Sequence, residues 1–415
     1  NIVVLEKQSD GGGLLRSVQI NGFVFDVGGS HVIFSHHEDL LMEILSFLRG
    51  EAVKHERMTY ILLDSLFVPY PFENGLCILP PEERAEALIT FIEAMVSKDG
   101  DWRPRNFREW IYGFFGKYIA EKYLLPYNLK IWKRPLENMD VDWVYMPGRL
   151  PYPDWRDIVR SAVGIPTSGY GEQSTFYHPL KGGIQTLFNS ALQEALGLGV
   201  RIVTNERVYN VKKCGNKWVI NNRFMAKKLV STIPITQLVN SLKGVPGDIH
   251  RLMNELEHNR VLVIGVAVNK KTTNHHWTYI PQSDVVFHRY AWVSNYSPYN
   301  APESKSALLL EITIPPKKKI NIEKITGKAL DDLEKLNVVR KNEIIFYKWW
   351  LNEYGYPVHT VGHGGRVERI LQWLREQGII SIGRWGSWHY WNMDQTYGEV
   401  KKAIDRLDRC VSALP

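Results

Sequence analysis

Cysteine is scarce in this chain: Cys77, Cys214 and Cys410 are the only three in 415 residues, widely spaced and odd in number. That argues against a disulfide frame and a cysteine-based zinc site and suits a reducing compartment, so a cytoplasmic setting is expected. No apolar run approaches the roughly 18 residues of a membrane span. A dense charge block is missing too, apart from Lys317-Lys318-Lys319 behind Pro315-Pro316, which reads as a solvated loop. The net charge of +7 therefore reads as a mildly basic surface, and no nucleic acid is expected as a partner. His31, His36 and His37 lack the companions of a ligand set, so no metal is expected. No Ser-His-Asp or Cys-His nucleophile set stands out. The chain opens on an apolar run, Ile2 to Leu5, rather than on a basic and apolar leader.

What is present is globular: 44% hydrophobic and 23% charged residues, and a length that suits two to three domains. Ile2–Leu5 reads as a buried parallel strand ending at Glu6, followed by the break Gly11-Gly12-Gly13. Glu38 to Arg49 has helical periodicity with Gly50 as its stop. The stretch from Pro80 to Trp132 is helical, with Asn106 as a cap and Pro126 as the terminator. Pro147 to Gly171 reads as a connector. Runs at Val261–Val268, Ala307–Ile314 and Ile344–Trp349 predict longer strands of a mainly antiparallel sheet, and Tyr397–Val411 predicts an amphipathic terminal helix.

Three segments carry chemistry. In the first, an acid closing a strand, Glu6, with Gly12 and Gly13 behind it, suits the ribose hydroxyls of a dinucleotide and close backbone approach; an ordinary turn gives the same pattern. A dinucleotide site also needs Gly-x-Gly-x-x-Gly about 20 residues earlier. That region would precede Asn1, so the expectation is a chain shortened at its start, one that binds its cofactor poorly as written. The second is Phe25-Asp26-Val27-Gly28-Gly29-Ser30-His31, where two glycines let backbone lie against a flat ring with an imidazole in reach. The third is Gly383-Arg384-Trp385-Gly386-Ser387-Trp388-His389-Tyr390-Trp391-Asn392-Met393-Asp394-Gln395, which sets a cation and backbone donors at a helix start.

These segments resemble the UDP-galactopyranose mutases of the eukaryotic type, within the broader group of FAD-dependent amine oxidases and protoporphyrinogen oxidases. The likeness extends through Val68-Pro69-Tyr70-Pro71-Phe72-Glu73-Asn74, Leu125 to Trp132, Trp277-Thr278-Tyr279, Phe287-His288-Arg289, Ser294 to Asn300 and Gly355-Tyr356-Pro357, in family order. Two departures stand out. Ser30 is an extra residue before His31, and Glu73 replaces a glutamine, which both donates and accepts where ionised glutamate only accepts.

The resemblance implies an α/β fold: a Rossmann-like FAD domain of the glutathione-reductase type, a helical domain and an antiparallel sheet domain. Residues 1–49, 150–233 and 366–415 would form the FAD domain, 50–149 a helical domain for substrate and oligomerisation, and 234–365 the sheet domain. It implies FAD contacts at Glu6, Gly12, Gly13, Gly28, Gly29, Arg57, Val208, Gly383, Arg384, Asp394 and Gln395. Substrate contacts would be Glu73, Tyr123, Asn128, Trp132, Trp277, Tyr279, Tyr296, Tyr356 and Tyr390, and Arg149, Arg289 and His31 would serve catalysis. The implied reaction interconverts the pyranose and furanose forms of a UDP-galactose-like nucleotide sugar through a covalent adduct at N5 of the reduced flavin, with NAD(P)H or another reductant. A homo-oligomer fits this reading. Its rivals are an amine- or porphyrinogen-oxidising relative sharing the FAD segments, and a non-catalytic nucleotide-sugar scaffold.

Overall fold

The computed structural model describes residues 2–146, 149–150, 153–169 and 174–412, with side chains through Asp405. The expected connector from Pro147 to Gly171 lies partly outside these residues, as does the side chain of Cys410. The expected mixed α/β architecture is the one observed.

Its centre is a seven-stranded sheet in the order Ile344–Val358, Glu257–Val268, Ser306–Ile314, Arg289–Trp292, Trp277–Tyr279, Thr59–Leu63, Leu66–Pro69. Neighbours run antiparallel except where Trp277–Tyr279 meets Thr59–Leu63. Ser306–Ile314 is buried along its whole length. One face packs on the core that holds Ala329 and Leu333 of the helix Ile322–Lys335. The other packs on Phe23 and Phe25 of the hairpin that leads to Gly28. The register sets Tyr279 opposite Arg289 and Arg289 opposite Glu311, so the three residues form one row across the sheet.

A second core belongs to the helices Pro81–Val96, Phe107–Ile119 and Leu125–Trp132. Asn106 caps the second of these as expected, its Oδ1 accepting from Glu109 N at 3.0 Å. Gly116, at φ 74°, lets this helix touch the first; a Cβ there would lie 2.5 Å from Thr90 O. Pro126 does not terminate the helical stretch. It sits in the first turn of Leu125–Trp132, where its missing N–H has no partner to lose, and Lys133 stops the helix in the left-handed conformation. This unit is pinned to the sheet by buried Lys130, whose Nζ donates to Ile280 O and Gln282 O, and by Asn259 Nδ2, which donates to Trp132 O.

The remaining strands form small sheets. Val3–Leu5 runs parallel to Arg201–Val203, and Leu229–Ser231 parallel to Ile379–Ser381. The first strand has the expected direction but not the expected burial: Val3 and Val4 are 45% and 43% exposed. Of the described strands only one pairs with it. No helix among the described residues is long and apolar enough to cross a membrane.

Candidate active site

Where the helical core, the sheet and the Gly28 hairpin meet, the described residues enclose a cavity of about 690 Å³, within the usual range for cofactor and ligand sites. Its floor is the turn after the strand Phe23–Asp26. Asp26 is buried and anchors this turn, accepting from Ser17 Oγ at 2.7 Å and Ile184 N at 3.0 Å. Gly28 is required by space, since a Cβ would lie 2.0 Å from Leu14 O. Gly29 is required by conformation as well, at φ 112°, with its would-be Cβ 3.4 Å from the Glu311 carboxylate. His31 Nδ1 lies 2.9 Å from Gly29 O. A carbonyl only accepts, so Nδ1 carries the proton and Nε2 is left as an acceptor. Burial pushes the His31 pKa down, so the ring is neutral at neutral pH.

One wall holds Arg289. Its Nη2 donates to both Glu311 oxygens, at 2.6 and 2.7 Å. Glu311 also accepts from Ser30 N at 3.0 Å and from the Tyr356 hydroxyl at 3.3 Å. Burial would raise the Glu311 carboxyl, but the charge of Arg289 and the hydrogen bonds from Arg289 and Ser30 N hold it down, to about 2. His288 stands 3.9 Å from the same carboxylate, and burial keeps it neutral, pushed down to about 3.

A second group of arginines is built differently, and Gly355 and Tyr356 join it to the first. The Arg149 guanidinium lies 3.5 Å from the ring centroid of Tyr390 and donates to the Tyr390 carbonyl. Arg384 lies 4.7 Å from the same ring and donates to Trp391 O and Gly355 O. Neither has a carboxylate within ion-pair distance among the described residues. Burial pushes Arg149 down to about 10, still charged at neutral pH.

The remaining wall is aromatic. Tyr123 stacks between Phe72 and Tyr127, with centroids 5.5 and 5.4 Å away. Tyr279 packs on Tyr70 and Tyr127, and Arg57 lies over Tyr70 and Trp277. Glu73 is buried here. Asn128 lines the cavity with its amide already engaged: Oδ1 accepts from Trp132 Nε1 at 3.1 Å and Nδ2 donates to Leu124 O at 2.8 Å.

Gly28, Gly29, His31, Arg57, Glu73, Tyr123, Asn128, Trp132, Arg149, Trp277, Tyr279, Arg289, Tyr356, Arg384 and Tyr390 thus share one cavity. The other sequence candidates do not line it. Glu6 closes its strand and accepts from Gln8 N. Gly12 and Gly13 take positive φ in the turn after that strand. Val208 is half-buried and packs against the core that includes Trp218 and Trp388. Tyr296 is fully buried behind Trp277 and Phe176. Gly383 takes the positive φ that opens its short helix. Asp394 accepts from Ser35 Oγ and Gln395 from Asn392 N, so both fasten the start of the last helix. Sequence reasoning missed Glu311, although it is the single acid in the otherwise apolar Ser306–Ile314. It also missed His288, Tyr127 and Trp143 as lining residues.

No family model matches the chain. Among solved structures it is similar to a reduced UDP-galactopyranose mutase, with TM-score 0.89 and 26% identity over 97% of this chain and 89% of the other. A protein assigned as a protoporphyrinogen oxidase from Exiguobacterium sp. 255-15 shares the fold at TM-score 0.72 and 17% identity, over 97% and 92% of the two chains. A double mutant of putrescine oxidase does so at TM-score 0.60 and 13% identity, over 97% and 93%. The chain resembles UDP-galactopyranose mutase across nearly all of its length and shares the mixed α/β fold of the FAD-binding flavoenzymes.

Proposed function

We propose that this protein is a flavin-dependent, UDP-galactopyranose-mutase-like enzyme that interconverts the pyranose and furanose forms of a nucleotide sugar in the cytoplasm, with FAD as cofactor and NAD(P)H or another reductant. The observation that carries this reading is the charge of the cavity. Its lining holds four guanidiniums, of Arg57, Arg149, Arg289 and Arg384, against two carboxylates, of Glu73 and Glu311. The Nε atoms of Arg149, Arg289 and Arg384 are buried without a partner among the described residues. Such a site takes an anion with several acceptor oxygens, as a diphosphate is. A protonated amine would be repelled, which weighs against an amine oxidase.

The residues present fit a flavin. Gly28 and Gly29 bring backbone without side chains to the cavity lining, and Arg384 lines the same space, so these residues would hold the ring. When bound and reduced, the flavin would supply the electron pair that replaces the diphosphate at the anomeric carbon. Arg149 and Arg289 would hold the diphosphate and offset its charge as it departs. The hydroxyls of Tyr279, Tyr356 and Tyr390 would orient it, and neutral His31 would accept a hydrogen bond at Nε2. Tyr123 and Glu73 would receive the base, with Glu73 selecting a group that donates. We further propose that segments 1–49, 150–233 and 366–415 make up the FAD-binding part, 50–149 the helical part and 234–365 the sheet part.

The test is direct. Protein loaded with FAD and reduced with dithionite should convert UDP-galactopyranose and UDP-galactofuranose into each other, followed by chromatography. A flavin-replete, reduced sample that converts neither would overturn the reading for that substrate. Oxygen consumption with an amine would favour the oxidase instead.

A further inference from the structure

Three histidines outside the cavity are brought together by the fold. His359 follows the long edge strand Ile344–Val358, His363 opens the helix His363–Glu376, and His389 precedes Tyr390. One ring nitrogen from each lies within 4.8 Å of the other two. His359 and His363 are 1% and 0% exposed, and their rings stack with centroids 3.8 Å apart.

The outer nitrogens of this pair are both held by acceptors. His359 Nδ1 lies 2.8 Å from Asp142 Oδ1, and His363 Nε2 lies 3.1 Å from Trp388 O. Carboxylate and carbonyl oxygens only accept here, so both of those nitrogens carry the ring proton. The lone pairs are therefore on His359 Nε2 and His363 Nδ1. Both atoms are buried and have no hydrogen-bond partner among the described residues, as is also true of His389 Nδ1. Core histidines usually meet a donor at the free nitrogen. Here two buried lone pairs meet none, and the third ring presents another unpaired nitrogen beside them. A group of acceptors without a donor is what a Lewis acid completes.

We propose that His359, His363 and His389 bind a divalent transition-metal cation of the zinc type, and that this metal fastens the segment carrying Tyr390 to the edge of the sheet and to the helix His363–Glu376. Imidazole nitrogen is the ligand type such cations favour. A carboxylate and a backbone carbonyl orienting two of the rings are the usual outer partners of metal-bound histidine. Zinc–nitrogen bonds of about 2.0–2.1 Å place ligand nitrogens roughly 3.3 Å apart, so binding requires the stacked rings of His359 and His363, now 22° from parallel, to splay until both in-plane lone pairs meet at one point. The charges around it oppose one another. Arg149 and Arg384 disfavour a cation near His359, and Asp140 and Asp142 favour one. A fourth ligand would be water, entering beside the partly exposed His389. The consequence reaches the neighbouring cavity. Tyr390, on which Arg149 and Arg384 rest, is the next residue in the chain.

The site was not legible in the sequence, where His31, His36 and His37 drew attention as near neighbours. The spacing His359-x-x-x-His363 is visible, but nothing local brings His389 to it.

The experiment uses untagged full-length protein, stripped with a chelator, incubated with Zn²⁺ or Co²⁺ and desalted. We expect one equivalent of retained metal by mass spectrometry, and the intense visible ligand-field bands of four-coordinate cobalt. His363→Gln and His389→Gln should each lose the retained metal, and Asp142→Asn should weaken binding about 10–100-fold. His389→Gln, at the more exposed position, serves if His363→Gln fails to fold, as judged by circular dichroism. Metal should also slow amide exchange across residues 387–392. Folded wild-type protein that retains neither ion, or variants that retain as much as wild type, would overturn the site; unchanged exchange in metal-loaded protein would overturn its fastening role.

Discussion

The two arginine groups that line the cavity solve the same problem in opposite ways. Arg289 is matched across the sheet by Glu311, and the pair is completed by Ser30 N and the Tyr356 hydroxyl. Its charge is balanced before any ligand arrives. Among the described residues Arg149 and Arg384 meet Tyr390 and backbone carbonyls but no carboxylate at ion-pair distance, so their charge is desolvated and not matched by an acid. The difference teaches where an anion gains most. The Arg149 side has unspent attraction, whereas the Arg289 side offers a fixed donor whose position is enforced by a buried carboxylate. Removing a balanced charge should therefore damage the fold, and removing an unbalanced one should damage binding.

The largest expected effect is on stability. Glu311→Ala leaves Arg289 buried beside no carboxylate and should lose about 3–5 kcal/mol, measured by urea denaturation. Arg149→Ala, which forfeits a ring contact, should lose about 1 kcal/mol. Equal losses would break the comparison. The double replacement Arg289→Met with Glu311→Met should recover most of the stability without activity, because an apolar pair of similar volume replaces a buried ion pair at little cost.

Next comes turnover. In the FAD-loaded, reduced protein, Arg149→Ala should lower kcat for the proposed interconversion about 10²–10³-fold with flavin still bound by its visible spectrum. Arg289→Ala should lose most of its activity as well, but with a lowered melting temperature. Unchanged turnover in either would remove that arginine from the proposed role.

The pH dependence tests the balanced wall alone. The Glu311 pKa is depressed in the fold, from 4.5 to about 2. Between these values the unfolded chain binds the proton and the folded one does not. The contribution is therefore complete above about pH 4.5 and lost as pH falls toward 2. Acid titration followed by circular dichroism should show this loss in wild type, and a smaller one in the double methionine variant. The smallest effect is a control. Asn106→Ala removes a helix cap at a residue that does not line the cavity and should cost about 1 kcal/mol, with turnover unchanged; a fall in turnover would mean that stability alone governs activity.

Much of the cavity was legible locally. Gly28-Gly29, Arg384 and Tyr390 stand in short runs whose residue types suit a flat ring and an anion, and family likeness drew Arg57, Glu73, Arg149 and Arg289 to the same place. Glu311 was not found, because a lone acid in an apolar strand looks like an interruption until its cross-strand neighbour is known. Tyr296 misled in the other direction. The resemblance makes it a substrate contact, yet the ring is buried and does not line the cavity. Pro126 misled for a local reason, since a proline that ends one helix and a proline that begins the next look alike in sequence.

The amino-acid sequence by itself determined the element types, the glycine turns and the supply of arginine and tyrosine. Those follow from hydrophobic periodicity, backbone freedom and side-chain chemistry, all of which act over a few residues. Only the tertiary structure decided which charges are balanced. Arg289 meets Glu311 through the register of two strands, Arg149 meets Tyr390 across 241 residues of chain, and His389 meets His359 and His363 through packing of the last segment on the sheet edge. Such pairings depend on which distant surfaces bury one another, and that is settled by the whole core at once.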